Sequence, residues 1–406
     1  MNHKVLLLLG LAMCYTLSGM AQADGKFSEG LVKYTVLSAN DMTVSATWAE
    51  NAPEDVVVIP ATVEHNGQTY SVTSVDLSND IPVYQLVVSE GITAIEGVKK
   101  EEYPYLKRLE LPGSLREIPY GKFRNFTGLE EVSLGEGMES LDNNCFMGCR
   151  LRRLSIPASI RKIGASLCYI GRMEEINVHP DNPYYYSQNN TLIDKEHQSV
   201  VLGNRDLFIP DNVTSIGSGA YMMFDKTDYL REKEAPRDLI IPNNITWVNI
   251  GSFTIDSIGT LRIPNTTMLD LGWIDFGAVK EIVIEDGDTP FYYTPLMASE
   301  GCFRFYDVNA KTDIETIYIG RNKQGSGNMF GTSNNLTVHK LVIGPKVTVF
   351  VDNMHTIKAI YSLSENPEQV TIGFNSNFYN RRILSQYLCR DAALRSCRHQ
   401  GTLYGC

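Results

Sequence analysis

Few side chains in this chain are of a type and spacing that could do chemistry. Of its seven histidines, His65, His179, His197, His339, His355 and His399 are scattered, whereas a metal site needs ligands at a short repeated interval. There is no Gly-x-Ser-x-Gly turn to expose a serine nucleophile, no phosphate loop and no Cys/His pattern of a thiol protease. Glu285-Asp286-Gly287-Asp288 has the acidity of a calcium loop, but it lacks the spaced ligands and closing glutamate of an EF-hand and reads as an acidic turn. No Cys-x-x-Cys pair occurs among the eight cysteines. An enzyme is not expected, and no catalytic residue, metal or other cofactor is assigned.

The residues that remain suit binding. Tyr184, Tyr185 and Tyr186 follow Asn182-Pro183, and Phe291, Tyr292 and Tyr293 follow Thr289-Pro290. Exposed tyrosines suit stacking on sugar rings or anchoring a protein, because they are amphipathic and lose little entropy on contact. Packing against the body is the stronger expectation for at least one tyrosine of each trio.

The body is set by a repeated phrase, an apolar strand that ends at Ile-Pro or Leu-Pro. The last apolar residue of each copy falls at Val88, Leu111, Leu134, Ile156, Val178, Ile209, Ile241, Ile263, Ile284, Ile319 and Ile343. Most steps are 21 to 24 residues, with longer ones of 31, 32 and 35. A period in the low twenties predicts a solenoid of about eleven rungs. Proline stops each strand by removing a backbone donor, and apolar residues then recur four and seven positions on. Examples are Leu115, Ile118 and Phe123, then Ile160, Ile163 and Leu167, then Val213, Ile216 and Tyr221, then Ile245, Val248 and Phe253. The expected rung has a parallel strand on one face and turns or short helical pieces on the other.

In-register rungs would place two outward rows on the strand face. Arg108, Glu131, Arg153 and Glu175 alternate in sign, as register-setting ion pairs would. The second row is polar over Glu110, Ser133, Ser155 and Asn177, then mostly apolar over Phe208, Ile240, Arg262, Val283, Tyr318 and Val342. A contiguous apolar stripe on a sheet marks a partner surface, and strand propensity under a covering insert accounts for it equally well. Candidate binding residues are therefore Phe208, Ile240, Arg262, Tyr318 and Val342, with Tyr184, Tyr185, Tyr186, Phe291, Tyr292 and Tyr293.

Composition narrows the partner. A formal charge of −11 disfavours nucleic acid, which needs a basic surface to displace counterions. Lys4, the apolar run Val5 to Met13, and Ala21-Gln22-Ala23 before Asp24 form an export signal cleaved near Ala23. No later run reaches the length of a membrane span. Cys145 and Cys168 fall at inward positions and are expected as buried thiols. The sequons Asn212-Val213-Thr214 and Asn244-Ile245-Thr246 share one repeat position, which turn geometry explains without glycosylation.

Four organisational segments follow. Residues 1–23 are the signal, and 24–80 form a β-rich cap with a hairpin at Asn66-Gly67. Residues 81–363 are the solenoid, with long inserts near 179–206 and 285–315, and 364–406 close the chain.

The Leu-x-Ile-Pro-x-x-Ile-x-x-Ile-Gly run, the Cys145-Phe146-Met147-Gly148-Cys149 segment, and the opening Val58-Ile59-Pro60-Ala61-Thr62-Val63 together resemble BspA-type leucine-rich repeat proteins of Bacteroidetes and other host-associated microbes. That resemblance implies a right-handed leucine-rich-repeat-like coil of α/β or mainly β class, with a parallel sheet on one face. It also implies a secreted or surface protein that adheres to host matrix or microbial surface proteins without catalysis. A monomer is expected; glycan capture and a structural envelope role are the alternatives. From about residue 381 the tail departs from the family, with Arg390, Arg395 and Arg398 beside Cys389, Cys397 and Cys406, and reads as a frameshifted or truncated cap.

Overall fold

The computed structural model describes residues 25–48, 56–78, 83–97, 104–223, 235–266, 270–271, 274–293, 301–305, 312–324, 329–330, 336–352, 356–364 and 371–374. The signal segment, Cys14, and the tail with Cys389, Cys397 and Cys406 lie outside the described residues. The chain divides into two compact units, residues 1–99 and 100–406.

The first unit is β throughout its described residues. Lys26–Glu29, Val32–Ser38 and Thr43–Trp48 form an antiparallel meander, and Thr43–Trp48 also pairs in parallel with Gln68–Asp76. Val32, Tyr34, Val44, Ala46 and Trp48 fill its core. Asn66 and Gly67 both take positive φ, 52° and 75°, which lets the two-residue turn match the twist of Thr62–His65 and Gln68–Asp76. Val56–Ile59 and Gln85–Val88 pair in parallel, the first burying Val57 and Ile59 and exposing Val56 and Val58.

The second unit is a stack of rungs. Arg108–Leu111, Glu131–Leu134, Arg153–Ile156 and Glu175–Val178 run parallel, with Arg108, Glu131, Arg153 and Glu175 in register. A narrower ladder of two-residue strands joins Glu117–Ile118, Ser140–Leu141 and Lys162–Ile163. On a further side the amides of Phe123, Asn125 and Phe146 donate to the carbonyls of Cys145, Met147 and Leu167 in the next rung. Inside, Phe123 stacks on Phe146 at 5.7 Å and Tyr221 on Phe253 at 5.0 Å. Leu115, Ile118, Val213, Ile216, Ile245 and Val248 are buried as the repeat demands, while Ile163 is half-buried.

The turn alternative holds for the return face, and one strand expectation is corrected. The face opposite the sheet carries no α-helix among the described residues, where a single 3-10 turn, Gly113–Leu115, is the helical piece. Left-handed residues such as Gly121, Asn125, Asn144 and Gly148 interrupt each return segment, so no run is long enough to propagate a helix. The mainly β alternative is therefore the architecture. The copy at Leu207-Phe208-Ile209 is also not a strand. Leu207 takes a positive φ of 57°, and Asn204 Oδ1 accepts the amides of Asp206 and Phe208 to hold the segment as a turn. The first sheet consequently ends at Glu175–Val178.

The insert after Val178 is an antiparallel meander, Tyr185–Gln188, Thr191–Asp194 and Ser199–Leu202, the last of which runs parallel to Ser215–Ile216 in a sheet separate from the narrow ladder. A second sheet follows, built from Arg237–Ile240, Phe253–Ile263, Ile274–Ile284, Thr312–Ile319, Leu336–Ile343 and Thr356–Ser362, all paired in parallel.

Candidate binding face and groove

The alternating row on the first sheet is an ion-pair ladder. Arg108 Nε lies 3.0 Å from Glu131 Oε2, Arg153 Nη1 2.8 Å from Glu131 Oε1, and Arg153 Nε 3.5 Å from Glu175 Oε2. A second ladder runs beside it through Lys107, Glu130, Arg152 and Glu174, with Lys107–Glu130 at 3.3 Å and Arg152–Glu174 at 2.5 Å. Hydrogen bonding from Arg152 holds the Glu174 carboxyl below its ordinary range, and Glu174 in turn raises the Arg152 guanidinium.

Strand alternation alone would send the second row to the opposite face. Each strand begins, however, with two consecutive amides on one carbonyl: Glu130 and Glu131 on Lys107, Arg152 and Arg153 on Glu130, Glu174 and Glu175 on Arg152. That bulge-like start keeps both charged neighbours within reach of the next rung.

The other outward row behaves differently along its length. Ile240, Arg262, Val283, Tyr318 and Val342 are consecutive register partners. Ile240 is 58% exposed, and Phe208, in its separate turn, is 38% exposed. Arg262 Nε donates to Glu285 Oε1 at 2.5 Å. Tyr318 and Val342 are 9% and 3% exposed, so the stripe does not stay open to its end. Tyr318 Oη donates to Asp286 Oδ1 at 2.6 Å. The signal for this was the unbroken apolar runs Ile317-Tyr318-Ile319 and Leu341-Val342-Ile343, the mark of parallel strands covered on both faces.

The acidic turn spends its carboxylates on protein partners: Glu285 on Arg262, Asp286 on Tyr318, and Asp288 on Lys346 at 2.7 Å. Among the described residues no group of three or more His, Cys, Asp or Glu side chains is placed to hold a metal. Cys145, Cys149, Cys168 and Cys302 are buried free thiols. Burial pushes the Cys168 thiol up to about 12, which leaves it protonated and unreactive.

The first tyrosine trio divides by role. Tyr184 is exposed, Tyr185 is buried and Tyr186 is half-buried. Tyr185 Oη accepts the Ile163 amide at 2.9 Å, and Tyr186 Oη accepts from Asn212 Nδ2 at 2.8 Å. Asn182 organises the trio. Its Oδ1 accepts the amides of Tyr184 and Tyr185, both at 2.8 Å, and its Nδ2 donates to the carbonyls of Pro157 and Ile160 at 2.8 and 3.0 Å. In the second trio Phe291 is buried, and the side chains of Tyr292 and Tyr293 lie outside the described residues.

Beside Tyr186 opens a groove of about 490 Å³ lined by Ile176, Val178, His179, Tyr186, Ser187 and Lys195, among others. It lies between the last strand of the first sheet and the insert, and none of its polar residues stands out by spacing.

Side chains of later rungs also latch the Ile-Pro turns, Asn182 and Asn244 from the next rung and Arg321 from the second one on. Asn182 serves the carbonyls after Ile156, Asn244 Nδ2 donates to Pro210 and Val213, and the buried Arg321 donates to Pro264 and Thr266. The Asn244 sequon thus has a structural use. Arg321 was not foreseen, because a lone arginine after Gly320 carries no pattern.

Residues 101–226 match the model of the BspA type leucine rich repeat region, in six copies. No curated protein matches the chain in sequence. Three solved structures align with this chain at low identity. The pneumococcal vaccine antigen PcpA aligns over 93% of this chain and 97% of that one, at 13% identity and a TM-score of 0.45. A leucine-rich repeat protein from Bacteroides ovatus aligns over 82% and 94%, at 16% identity and 0.43. A leucine rich cell surface protein from Faecalibacterium prausnitzii aligns over 87% and 98%, at 14% identity and 0.41. Among the described residues no helix is long and apolar enough to cross a membrane.

Proposed function

We propose that this protein, which carries a BspA-type leucine-rich repeat region at residues 101–226, is an exported, non-enzymatic adhesion protein that binds a protein partner through apolar side chains exposed on its second sheet and on the Leu207-Phe208-Ile209 turn. The observation that carries the reading is the pair of exposed apolar side chains Phe208 and Ile240. Apolar groups left open on a rigid surface and bordered by charge suit a partner's contact core. The Arg262–Glu285 pair beside Ile240 supplies such a border. Export rests on the signal pattern of residues 1–23, and the surface has no basic excess to draw nucleic acid.

The test is binding of residues 24–406 to immobilised matrix and surface proteins, beside a Phe208→Ser/Ile240→Ser variant. Saturable binding that falls at least tenfold in the variant supports the reading. A folded protein that binds none of them, or a variant that binds as well as the parent, overturns it in favour of a structural envelope role.

A further inference from the structure

We propose that the free edge of the Glu175–Val178 strand, with the groove beside it, captures an extended polypeptide segment of the partner as an added β-strand. This deepens the protein-binding reading and rests on it. The argument begins with backbone direction. The amides of Glu175 and His179 donate to Arg152 and Ile156 in the preceding rung. Alternation then turns the N–H and C=O of Ile176 and Val178 to the other side, and among the described residues no strand pairs with that edge.

In a continuous coil the next rung would cover it. Here that rung is held as a turn by Asn204 and the left-handed Leu207, so the covering strand is withheld. An open edge is normally blunted or covered, because it templates pairing with any passing chain. This edge is instead recessed in a groove of about 490 Å³, within the range of built ligand sites. The four-residue strand offers a contact about 13 Å long at ~3.3 Å per residue.

Two groups at the start of this edge are already met by one surrogate side chain. Asn190 Oδ1, an amide carbonyl, sits 3.4 Å from the Ile176 N–H, where the carbonyl of an added strand would lie. The same side chain's Nδ2 donates to the Glu174 carbonyl at 2.8 Å, so Asn190 occupies the edge as one added residue would, and an incoming peptide takes its place by displacing it. The chemistry favours peptide over sugar. Tyr185 is buried and Tyr186 is half-buried with its hydroxyl engaged, which leaves no broad ring face in the groove, whereas alternating N–H and C=O groups on a straight edge are what a peptide complements. Lys195, whose ammonium also donates to the Asn182 carbonyl, lines the groove and favours an acidic residue in the segment.

The experiment selects a displayed library of linear decapeptides on the full chain and measures the enriched peptide by fluorescence anisotropy. Val178→Pro removes only the outward donor, since this amide makes no ladder bond and proline is tolerated at such edge positions. It should weaken the peptide about tenfold, and Ser187→Trp, which fills the groove, should abolish capture. A peptide N-methylated at alternate residues loses its main-chain donors and should also bind at least tenfold more weakly, a result that holds even if Val178→Pro misfolds.

Peptides that tolerate both Val178→Pro and N-methylation overturn the proposal. So does a library that yields no binder, or glycan-array binding that Ser187→Trp removes. If capture fails while matrix-protein binding persists and depends on Phe208 and Ile240, the strand-edge proposal falls and the broader reading stands.

Discussion

Replacing Asn182 by alanine tests the idea that one buried amide holds the groove's wall in place. Asn182 is almost fully buried and makes four side-chain hydrogen bonds, two donated and two accepted. Each is worth about 0.5–1.5 kcal/mol net, and water can replace the one at the exposed Tyr184. Asn182→Ala should therefore cost about 3 kcal/mol locally, with the Pro157 and Ile160 carbonyls left without their donor. A global melt is the wrong readout for a chain of two units. Native-state hydrogen exchange of the amides at 160–185 reads the local opening free energy directly. A loss of 3 kcal/mol appears as roughly a hundredfold faster exchange there. The Ile163 amide should be among those affected, because its acceptor is the hydroxyl of Tyr185, which Asn182 positions. Exchange in this segment accelerated by less than about fivefold would refute the assignment of Asn182 as the hub.

Three further perturbations probe other parts of the argument. Arg153→Glu places a third carboxylate between Glu131 and Glu175 and should destabilise the repeat unit by about 1 kcal/mol, shrinking in high salt because the pairs are exposed; urea titration at two salt concentrations checks this. Gly113→Ala puts a Cβ 1.7 Å from the Glu136 carbonyl oxygen, a main-chain clash between rungs, and should lower the urea midpoint as a core-packing defect of about 3 kcal/mol would. His197 hydrogen-bonds Asp194 at 3.0 Å, which raises its pKa above the ordinary value near 6.5. The stabilisation is thus fully present below pH ~6.5 and fades as pH rises through the raised pKa; an NMR titration should show the shift, and Asp194→Asn should abolish it.

The period and the inward positions were legible because each is a local apolar choice repeated at one interval. Ile118, Val213 and Phe253 are buried for the same reason that their counterparts are. The Arg108–Glu175 ladder was legible once rungs were assumed to pair in register. Its neighbour through Arg152 was not, because shared carbonyl acceptance at the strand start overrides alternation and leaves no compositional trace. Leu207-Phe208-Ile209 has the letters of a strand, yet Asn204, a few residues upstream, takes its amides. Tyr318 and Val342 were assigned by row position, when the consecutive apolar residues around them already argued for cover on both faces. The groove arises from a missing strand, and an absence has no residues to read.

The rung-to-rung latches give the stack a polarity. Asn182, Asn244 and Arg321 each lie C-terminal to the turn whose carbonyls they satisfy. During synthesis a turn thus waits, unfinished, for a repeat that follows it. Under force the two ends should differ as well. Peeling from the C-terminal side strips donors from turns that remain in the stack, so every lost rung weakens the next. Peeling from the N-terminal side removes the acceptors and leaves side chains that water can satisfy. Such a coil should resist being drawn from its beginning better than from its end, a mechanical ratchet made from asparagine and arginine side chains.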